Sequence, residues 1–230
     1  MIKEFITQLA KGLVRKSNKV EWKNLRSLKP VSGNFGFIRG TPVDRYYIEK
    51  FLADNKKHIH GRVLEVAESL YSKKFNGGVE QFETLGMSNE NSDTTIIGDL
   101  TVAASLPSNS MDCFICTQTF NFIYEIKKAV AGSYQLLKPG GVMLVTVAGV
   151  CQVSRYDMER WGDYWRFTDI CIQKLFAEVF PEKNIRVKTY GNVLSATALL
   201  HGISAEELTP EELDVVDKNY QVVISIIAEK

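Results

Sequence analysis

The 230-residue sequence has little of several features that mark specialised classes of protein. Its formal net charge is only +1, from 28 basic and 27 acidic residues, so no general affinity for nucleic acid is expected. No apolar run approaches the roughly 18 residues that would predict a membrane-spanning helix. The apolar runs near the amino terminus are also too short for a signal peptide. These absences predict a cytoplasmic globular protein.

Cysteine and histidine are scarce, which argues against a disulfide framework or a metal site. The chain has four cysteines and three histidines. Only Cys113 and Cys116 have the spacing of a metal-binding pair, but they lie in a predicted strand, where residues three apart point to opposite faces. The sequence therefore predicts reduced, buried thiols and no metal site.

Glycine is absent where a cofactor loop would normally need it. The stretch GRVLEV at residues 61–66 indicates a buried strand, yet no further glycine follows until Gly77. Loops that bind dinucleotides usually carry several glycines directly after such a strand. Two interpretations follow from the residues: a variant cofactor loop, or the remnant of one.

What the sequence does have is an alternation of strand-length apolar runs with helical segments. Helices are predicted at 43–53, 124–137 and 169–180, with helical residues also at 194–217, and the second of these leads into a turn at Pro139-Gly140-Gly141. The seven predicted strands lie within 62–67, 77–85, 94–100, 112–119, 141–148, 184–190 and 220–229. This order predicts an α/β, Rossmann-like fold with a seven-stranded, mostly parallel sheet and helices on both faces.

We expect one domain over residues 1–230, with no linker that would divide it. Residues 1–57 would form an N-terminal helical arm and lid, and 58–230 the core, with a substrate-side loop at 149–168. Residues 1–30 carry eight Lys or Arg, and the apolar residues of this arm recur at helical spacing. The apolar stripe would pack on its own domain, or would make a weak contact with a membrane surface or a partner. The oligomeric state is not predicted.

Acidic residues stand at the ends of three successive predicted strands. Glu65 and Glu68 end the first, Glu83 lies near the end of the second, and Asp99 ends the third. Ligands of parallel sheets bind beyond the carboxyl ends of the strands, and the 18-residue step from Glu65 to Glu83 is close to that which places a ribose-binding acid. The alternative is that these side chains are simply solvated.

The stretch LPSNSMDCFICTQTFNFIYEIKKAVAGSYQLLKPGGVMLVTV, residues 106–147, resembles class I S-adenosylmethionine-dependent methyltransferases of the type 11 kind. A narrower resemblance, over residues 36–229, is to bacterial methyltransferases associated with polysaccharide and glycosyl-transfer pathways. It is carried by RGTPVDRYYIEKFL, GRVLEV, SRYDMERWGDYWRFTD and YGNVLSATALLHGISAEEL. The resemblance implies that S-adenosylmethionine is the cofactor.

The resemblance also implies a cofactor role for individual residues. Glu65 would lie beside the amino-acid portion of the cofactor, Glu83 would bind the ribose, and Gln118 would lie under the methionine moiety. Asp99 and Leu100 would flank the adenine. The loop residues Ala67, Glu68 and Tyr71 would complete this site, with Ala67 standing where the family usually has glycine. If φ at Ala67 is positive, the alanine costs about 1 to 2 kcal/mol, which does not require a dead site.

The long connection at 149–168 predicts the acceptor site. Arginines and aromatic residues beside carboxylates suit a sugar, because rings cover C–H faces while charged groups bind hydroxyls. The alternative is a folded cap whose tryptophans pack inward and whose charges pair with each other. The substrate-binding candidates are Arg155, Tyr156, Trp161, Trp165 and Arg166, and the candidate general bases are Asp157 and Asp163.

The predicted function is methyl transfer from S-adenosylmethionine, through O-methylation of a saccharide or a related small-molecule hydroxyl. One alternative keeps the enzyme and changes the acceptor to an amine or a carboxylate. Another alternative, from a different class, is a catalytically inactive binding or scaffold protein with a degenerate cofactor loop.

Overall fold

The protein is described by a computed structural model in which residues 26–89 and 91–230 are placed. Contacts divide the chain into a unit at Met1–Pro30 and a compact unit at Val31–Lys230. The predicted amphipathic helix of the basic arm lies outside the described residues, and the division of the chain into arm and core stays a prediction. Among the described residues, no helix is both long and apolar enough to cross a bilayer.

One sheet of seven strands organises the compact unit. The strands are β1 Gly61–Val66, β2 Val79–Gly86, β3 Ile96–Ile97, β4 Met111–Thr117, β5 Leu137–Ala148, β6 Ile185–Tyr190 and β7 Val223–Glu229. Their order across the sheet is β3-β2-β1-β4-β5-β7-β6. The first five strands are parallel, and β7 runs antiparallel between β5 and β6. The predicted α/β, Rossmann-like fold with a mostly parallel sheet is confirmed.

Helices cover both faces of the sheet, because the strands carry apolar residues on both sides. They are α1 Val43–Asp54, α2 Leu70–Lys74, α3 Ile126–Leu136, α4 Arg155–Met158, α5 Asp169–Ala177, α6 Val193–His201 and α7 Pro210–Asp214. One buried cluster joins α3 and α5 to the sheet, and the other joins α1 and α6 to its opposite face. Cys113 and Cys116 of β4 fall in different clusters, on opposite faces as predicted.

Three local features differ from the sequence prediction or refine it. The helical segment predicted at 194–217 is broken, because Gly202 ends α6 in a left-handed conformation and Pro210 begins a separate helix. β2 ends at Gly86, one residue later than predicted, and Glu83 lies three residues before its end. The Pro139-Gly140-Gly141 turn is an irregularity within β5, where Gly140 takes φ 78°.

Candidate functional site

A cavity of about 310 Å³ opens where β4 and β5 end, at the edge of the sheet where parallel α/β folds bind ligands. Its size is at the lower limit of small-molecule sites. The walls come from α1 and the turn before it, from the residues after β4 and β5, and from the beginning of α2. They include Phe35, Phe37, Asp44, Arg45, Tyr71, Gln118, Asn121, Phe122, Cys151, Gln152, Ser154, Asp157, Asp163 and Arg166.

Gln118 directly follows β4 and holds a strained conformation. Its φ is 49°, in the left-handed region, and its backbone N–H donates to the carbonyl of Thr146 over 2.8 Å. Strain of this kind costs about 1 to 3 kcal/mol and is concentrated at functional sites. The Nε2 atom of Gln118 and the Oδ1 atom of Asn121 are both buried, and neither has a hydrogen-bond partner. Each unpaired buried atom costs about 1 to 3 kcal/mol, which a polar ligand in the cavity would offset.

Glu65, at the end of β1, shapes the loop that follows. Its carboxylate accepts hydrogen bonds from the backbone N–H groups of Tyr71 and Ser72, at 3.0 and 2.9 Å, and from the Ser72 hydroxyl at 2.9 Å. These bonds satisfy amides of the first turn of α2 that have no partner within the helix. Burial raises the pKa of Glu65 although the hydrogen bonds oppose the shift. The structure therefore gives this acid a role in holding the loop, and contact with a cofactor stays a prediction.

Ala67 takes φ 67°, the left-handed conformation in which glycine is normally found. Its N–H donates to the carbonyl of Leu85, and its own carbonyl accepts from Nδ2 of Asn91 over 2.8 Å. The loop thus keeps the backbone path that glycine would allow and holds it with hydrogen bonds. Ala67 and Glu68 are both exposed on this loop, and Tyr71 reaches the wall of the cavity. Burial raises the pKa of Tyr71 to about 12.

Glu83 is held away from the tip of β2. It lies opposite Leu64 in the parallel register and is only 5% exposed. One of its oxygens accepts hydrogen bonds from the Arg62 guanidinium, at 2.7 and 2.9 Å, and from Gln81 at 2.6 Å. The predicted strand at 77–85 ends one residue before the observed end of β2, and Glu83 lies three residues before that end. The other oxygen of Glu83 accepts no hydrogen bond from a described residue, and the contact with a ribose stays a prediction.

The two residues predicted to flank an adenine lie at the tip of β3. One Asp99 oxygen accepts from the backbone N–H and the hydroxyl of Thr101, at 2.7 and 2.8 Å. Leu100 is 5% exposed and packs in the core cluster on the α3 side. Neither residue lines the cavity. Of the eight predicted cofactor residues, the cavity brings together Tyr71 and Gln118.

The loop at 149–168 is folded back on itself by an ion pair. The Arg166 guanidinium donates to both oxygens of Asp163, at 2.5 and 2.9 Å, and to the carbonyl of Gln152 at 2.7 Å. The hydrogen bond from Arg166 lowers the pKa of Asp163. Asp157 accepts a hydrogen bond from the Ser154 hydroxyl at 2.5 Å. Both candidate bases therefore lie at the cavity with their carboxylates already engaged, and their role in proton transfer stays a prediction.

The other predicted acceptor residues have different positions. Arg155, Tyr156 and Trp161 are exposed and lie outside the cavity, as does Trp165. The Trp165 indole donates to the carbonyl of Ile123 over 3.0 Å and packs against the core. The loop thus combines both interpretations of its sequence: one tryptophan packs inward, and the other remains at the surface. Arg166 is the predicted substrate residue that reaches the cavity.

Asp44 is a cavity residue that the sequence did not single out. It lies in the first turn of α1, is half-buried, and accepts from the backbone N–H of Arg45 over 2.9 Å. No side chain among the described residues forms a hydrogen bond or ion pair with it, and burial raises its pKa. An acidic residue at a helix start commonly interacts with the helix terminus, so its position in the sequence does not indicate that it lines a cavity.

Comparisons with known proteins agree with the observed topology. Residues 64–145 match the model of a family described as a methyltransferase domain. No curated protein shows significant sequence similarity to the chain.

Three solved structures illustrate the similarity in fold. An S-adenosylmethionine-dependent methyltransferase from Archaeoglobus fulgidus aligns with a TM-score of 0.52 and 13% identity, over 81% of this chain and 94% of its own. One from Mesorhizobium loti aligns with a TM-score of 0.51 and 14% identity, over 82% and 98%. The [4+2]-cyclase SpnF aligns with a TM-score of 0.52 and 15% identity, over 89% and 87%. The fold is therefore shared with methyltransferases and with a cyclase, so the reaction must be argued from the site.

Proposed function

We propose that this chain, whose fold is shared with methyltransferases and whose residues 64–145 match a methyltransferase-domain family, transfers a methyl group from S-adenosylmethionine to a small polar acceptor. The observation that carries the proposal is the cavity beyond β4 and β5, with the unpaired polar atoms of Gln118 and Asn121 buried in its wall. A polar ligand would supply the hydrogen bonds that these atoms lack.

The residues near Tyr71 and Gln118 fit the methionine end of the cofactor. They lie beyond β1 and β4, the central strands of the sheet. When bound, S-adenosylmethionine supplies an electrophilic methyl group on a sulfonium. The tasks left to the protein are to align an acceptor atom with that methyl group and to exclude water.

The acceptor in this proposal is a hydroxyl of a saccharide or a related compound. The cavity offers an amide oxygen at Asn121 and carboxylates at Asp44 and Asp157, beside the rings of Phe35 and Phe122. Hydroxyl groups of a sugar can donate hydrogen bonds to the amide and carboxylate oxygens, while the aromatic rings cover the C–H faces of the sugar. Tyr156 and Trp161, 65% and 56% exposed on the loop at 149–168, would contact the parts of a larger acceptor that extend outside the cavity.

Asp44 is the proton acceptor that the contacts favour. Asp163 is neutralised by Arg166, and Asp157 is bonded to Ser154, whereas the Asp44 carboxylate has bonds only to backbone amides. Its raised pKa also brings its basicity closer to the range that suits a general base. Asp44 would take the hydroxyl proton as the acceptor oxygen bonds to the methyl carbon, and the sulfonium–methyl bond would break to leave S-adenosylhomocysteine.

Calorimetric titration with S-adenosylmethionine and S-adenosylhomocysteine tests the proposal. We expect micromolar binding that weakens about fivefold in Gln118→Ala, since one hydrogen bond contributes about 1 kcal/mol. Gln173→Ala, on α5 outside this cavity, is the matched control and should bind like the wild type. An incubation with radiolabelled S-adenosylmethionine and a panel of methyl glycosides then tests the acceptor class. No binding at millimolar ligand would overturn the proposal and leave a binding or scaffold role.

A further inference from the structure

Arg45 is an arginine of the cavity wall that lies over two aromatic rings and forms no ion pair with a described residue. It lies in the first turn of α1 and is half-buried. Its guanidinium carbon lies 5.2 Å from the ring centroid of Phe37 and 5.9 Å from that of Tyr71. Its guanidinium forms no ion pair or hydrogen bond with any residue that the structure describes, and the same three side chains all line the cavity.

Contact with the two rings fixes the guanidinium without using its hydrogen-bonding capacity. Aromatic rings attract a guanidinium through its face, whereas its five N–H donors point outward in the plane of the group. That fork matches the two oxygens of a carboxylate. Arg45 is therefore held in position, with donors available for an oxyanion.

No acidic residue of the described cavity wall accepts a hydrogen bond from the Arg45 guanidinium. Among the described residues of the wall, Arg166 is paired with Asp163, and Asp157 is bonded to Ser154. Asp44, the neighbouring acid, forms no ion pair with Arg45, and the positive charge of Arg45 opposes only part of the rise in the pKa of Asp44 that burial causes. A further donor, the buried Nε2 of Gln118, also lines the cavity without a partner.

We propose that Arg45 binds a carboxylate in this cavity. The inference rests on the proposed function, under which the carboxylate is that of the methionine end of S-adenosylmethionine. The Tyr71 ring links Arg45 to α2 and the loop after β1, on the side of the cavity assigned to the cofactor. A carboxylate on the acceptor has the same chemistry and is the second source. In either case Arg45 discriminates ligands that carry the carboxylate from those that lack it.

The test compares two ligands that differ in the amino-acid end. S-adenosylhomocysteine has the carboxylate, and 5′-methylthioadenosine lacks the whole amino-acid group. We expect Arg45→Ala to weaken binding of S-adenosylhomocysteine about 10- to 100-fold, the effect of one charge-assisted hydrogen-bonded contact. Binding of methylthioadenosine should change less than about threefold, and Arg45→Lys should fall between, because lysine keeps the charge and loses the fork.

Two controls separate this contact from a general loss of structure. Arg186→Ala removes an exposed arginine of β6 that lies outside the cavity, and it should bind both ligands like the wild type. The circular dichroism spectrum and melting temperature of Arg45→Ala should match those of the wild type. If both ligands weaken equally in Arg45→Ala, the residue does not read the carboxylate, and the inference is overturned for the cofactor.

A second titration distinguishes the two sources of the carboxylate. D-glucuronate, a saccharide with a carboxylate, is titrated into the protein with and without saturating S-adenosylhomocysteine. Binding of glucuronate that requires Arg45 while S-adenosylhomocysteine affinity does not would assign the residue to the acceptor. If the wild type binds no S-adenosylhomocysteine, the proposed function fails, and glucuronate binding to the free protein still decides the role of Arg45. Loss of Arg45 without effect on either ligand overturns the inference entirely.

Discussion

At the residue scale, the side-chain methyl group of Ala67 raises the conformational free energy of the backbone at this position, yet the backbone keeps its left-handed conformation. A non-glycine residue in the left-handed region costs about 1 to 2 kcal/mol, and Ala67 holds φ 67° because Leu85 and Asn91 fix its amide and its carbonyl. The loop thus has, at Ala67, the backbone conformation that glycine normally adopts, and its binding of a cofactor stays a prediction. Sequence alone left two cases open at this position, because φ depends on partners about 20 residues away.

Replacing Ala67 by glycine should stabilise the protein. The substitution relieves the left-handed strain of about 1 to 2 kcal/mol, and loses about 0.4 to 1 kcal/mol through the greater freedom of the unfolded chain. We expect a net gain of about 1 kcal/mol or less in the free energy of unfolding, measured in urea. Ala53→Gly, at an exposed position of α1, is the matched control and should lose about 0.5 to 1 kcal/mol. Equal losses in both variants would contradict the strained conformation.

Asp44→Asn should stabilise the protein at neutral pH and should lose this advantage in acid. Because burial raises the folded-state pKa of Asp44, ionisation destabilises the folded state above that pKa and has no effect below the ordinary value of 3.8. The other ionisable groups of the cavity wall are Arg45, Tyr71, Cys151, Asp157, Asp163 and Arg166. Melting temperatures measured from pH 8 down to pH 4 should converge for wild type and variant. A constant difference would show that the carboxylate is not perturbed.

At the element scale, the loop between β1 and α2 depends on one acid. Glu65 accepts three hydrogen bonds from Tyr71 and Ser72, so a strand residue supplies the cap of a five-residue helix. Such a short helix has little stability of its own. The Glu65 carboxylate therefore holds Tyr71, whose ring lies beside Arg45, in its position in the cavity wall.

Glu65→Gln should destabilise the protein by about 1 to 3 kcal/mol, because the amide leaves at least one buried N–H without an acceptor. Denaturation in urea measures the loss. Glu68→Gln, three residues later on the exposed part of the same loop, should stay within about 0.5 kcal/mol of the wild type. If both variants behave alike, Glu65 does not hold α2.

The elements themselves could be predicted well, and the cavity only in part. Apolar runs identified all seven strands, and the helix predicted at 169–180 is observed as α5, which Thr168 caps through the N–H of Cys171. The strand ends were predicted less precisely. Glu83, for example, is a polar residue within β2, and it is paired with Arg62 of the neighbouring strand β1. A partner 21 residues away leaves no local signal in the sequence.

At the scale of the whole molecule, the cavity is assembled from segments far apart in the chain. Asp44 and Arg45 come from α1, Gln118 and Asn121 follow β4, and Arg166 comes from the loop after β5. Only the topology of the sheet brings these segments to one edge. Sequence reasoning placed Gln118 and the loop at this edge and did not foresee the part of Asp44, since nothing local indicates which strand tips a helix start will cover.

A ligand that joins these segments should stabilise the entire fold. At 100 times its Kd, S-adenosylhomocysteine should add about 2.7 kcal/mol to the free energy of unfolding. For a chain of this size, about 2 to 4 °C in melting temperature corresponds to each kcal/mol, so an upward shift of about 5 to 11 °C is expected. Differential scanning calorimetry measures the shift, and adenine at the same concentration is the control. A shift that does not increase with ligand concentration would contradict specific binding.

The antiparallel position of β7 also constrains the order in which the sheet can be completed. β6 precedes β7 in the chain, yet its backbone pairs with β7 alone, and β7 in turn pairs with β5. During synthesis β6 emerges from the ribosome at least 33 residues before β7, the strand that it needs. Until residues 223–229 insert, β5 presents an open edge and β6 has no place in the sheet. β6 is therefore synthesised before β7 but can join the sheet only after β7 has paired with β5. In the interval the edge of β5 is open to pairing with another protein.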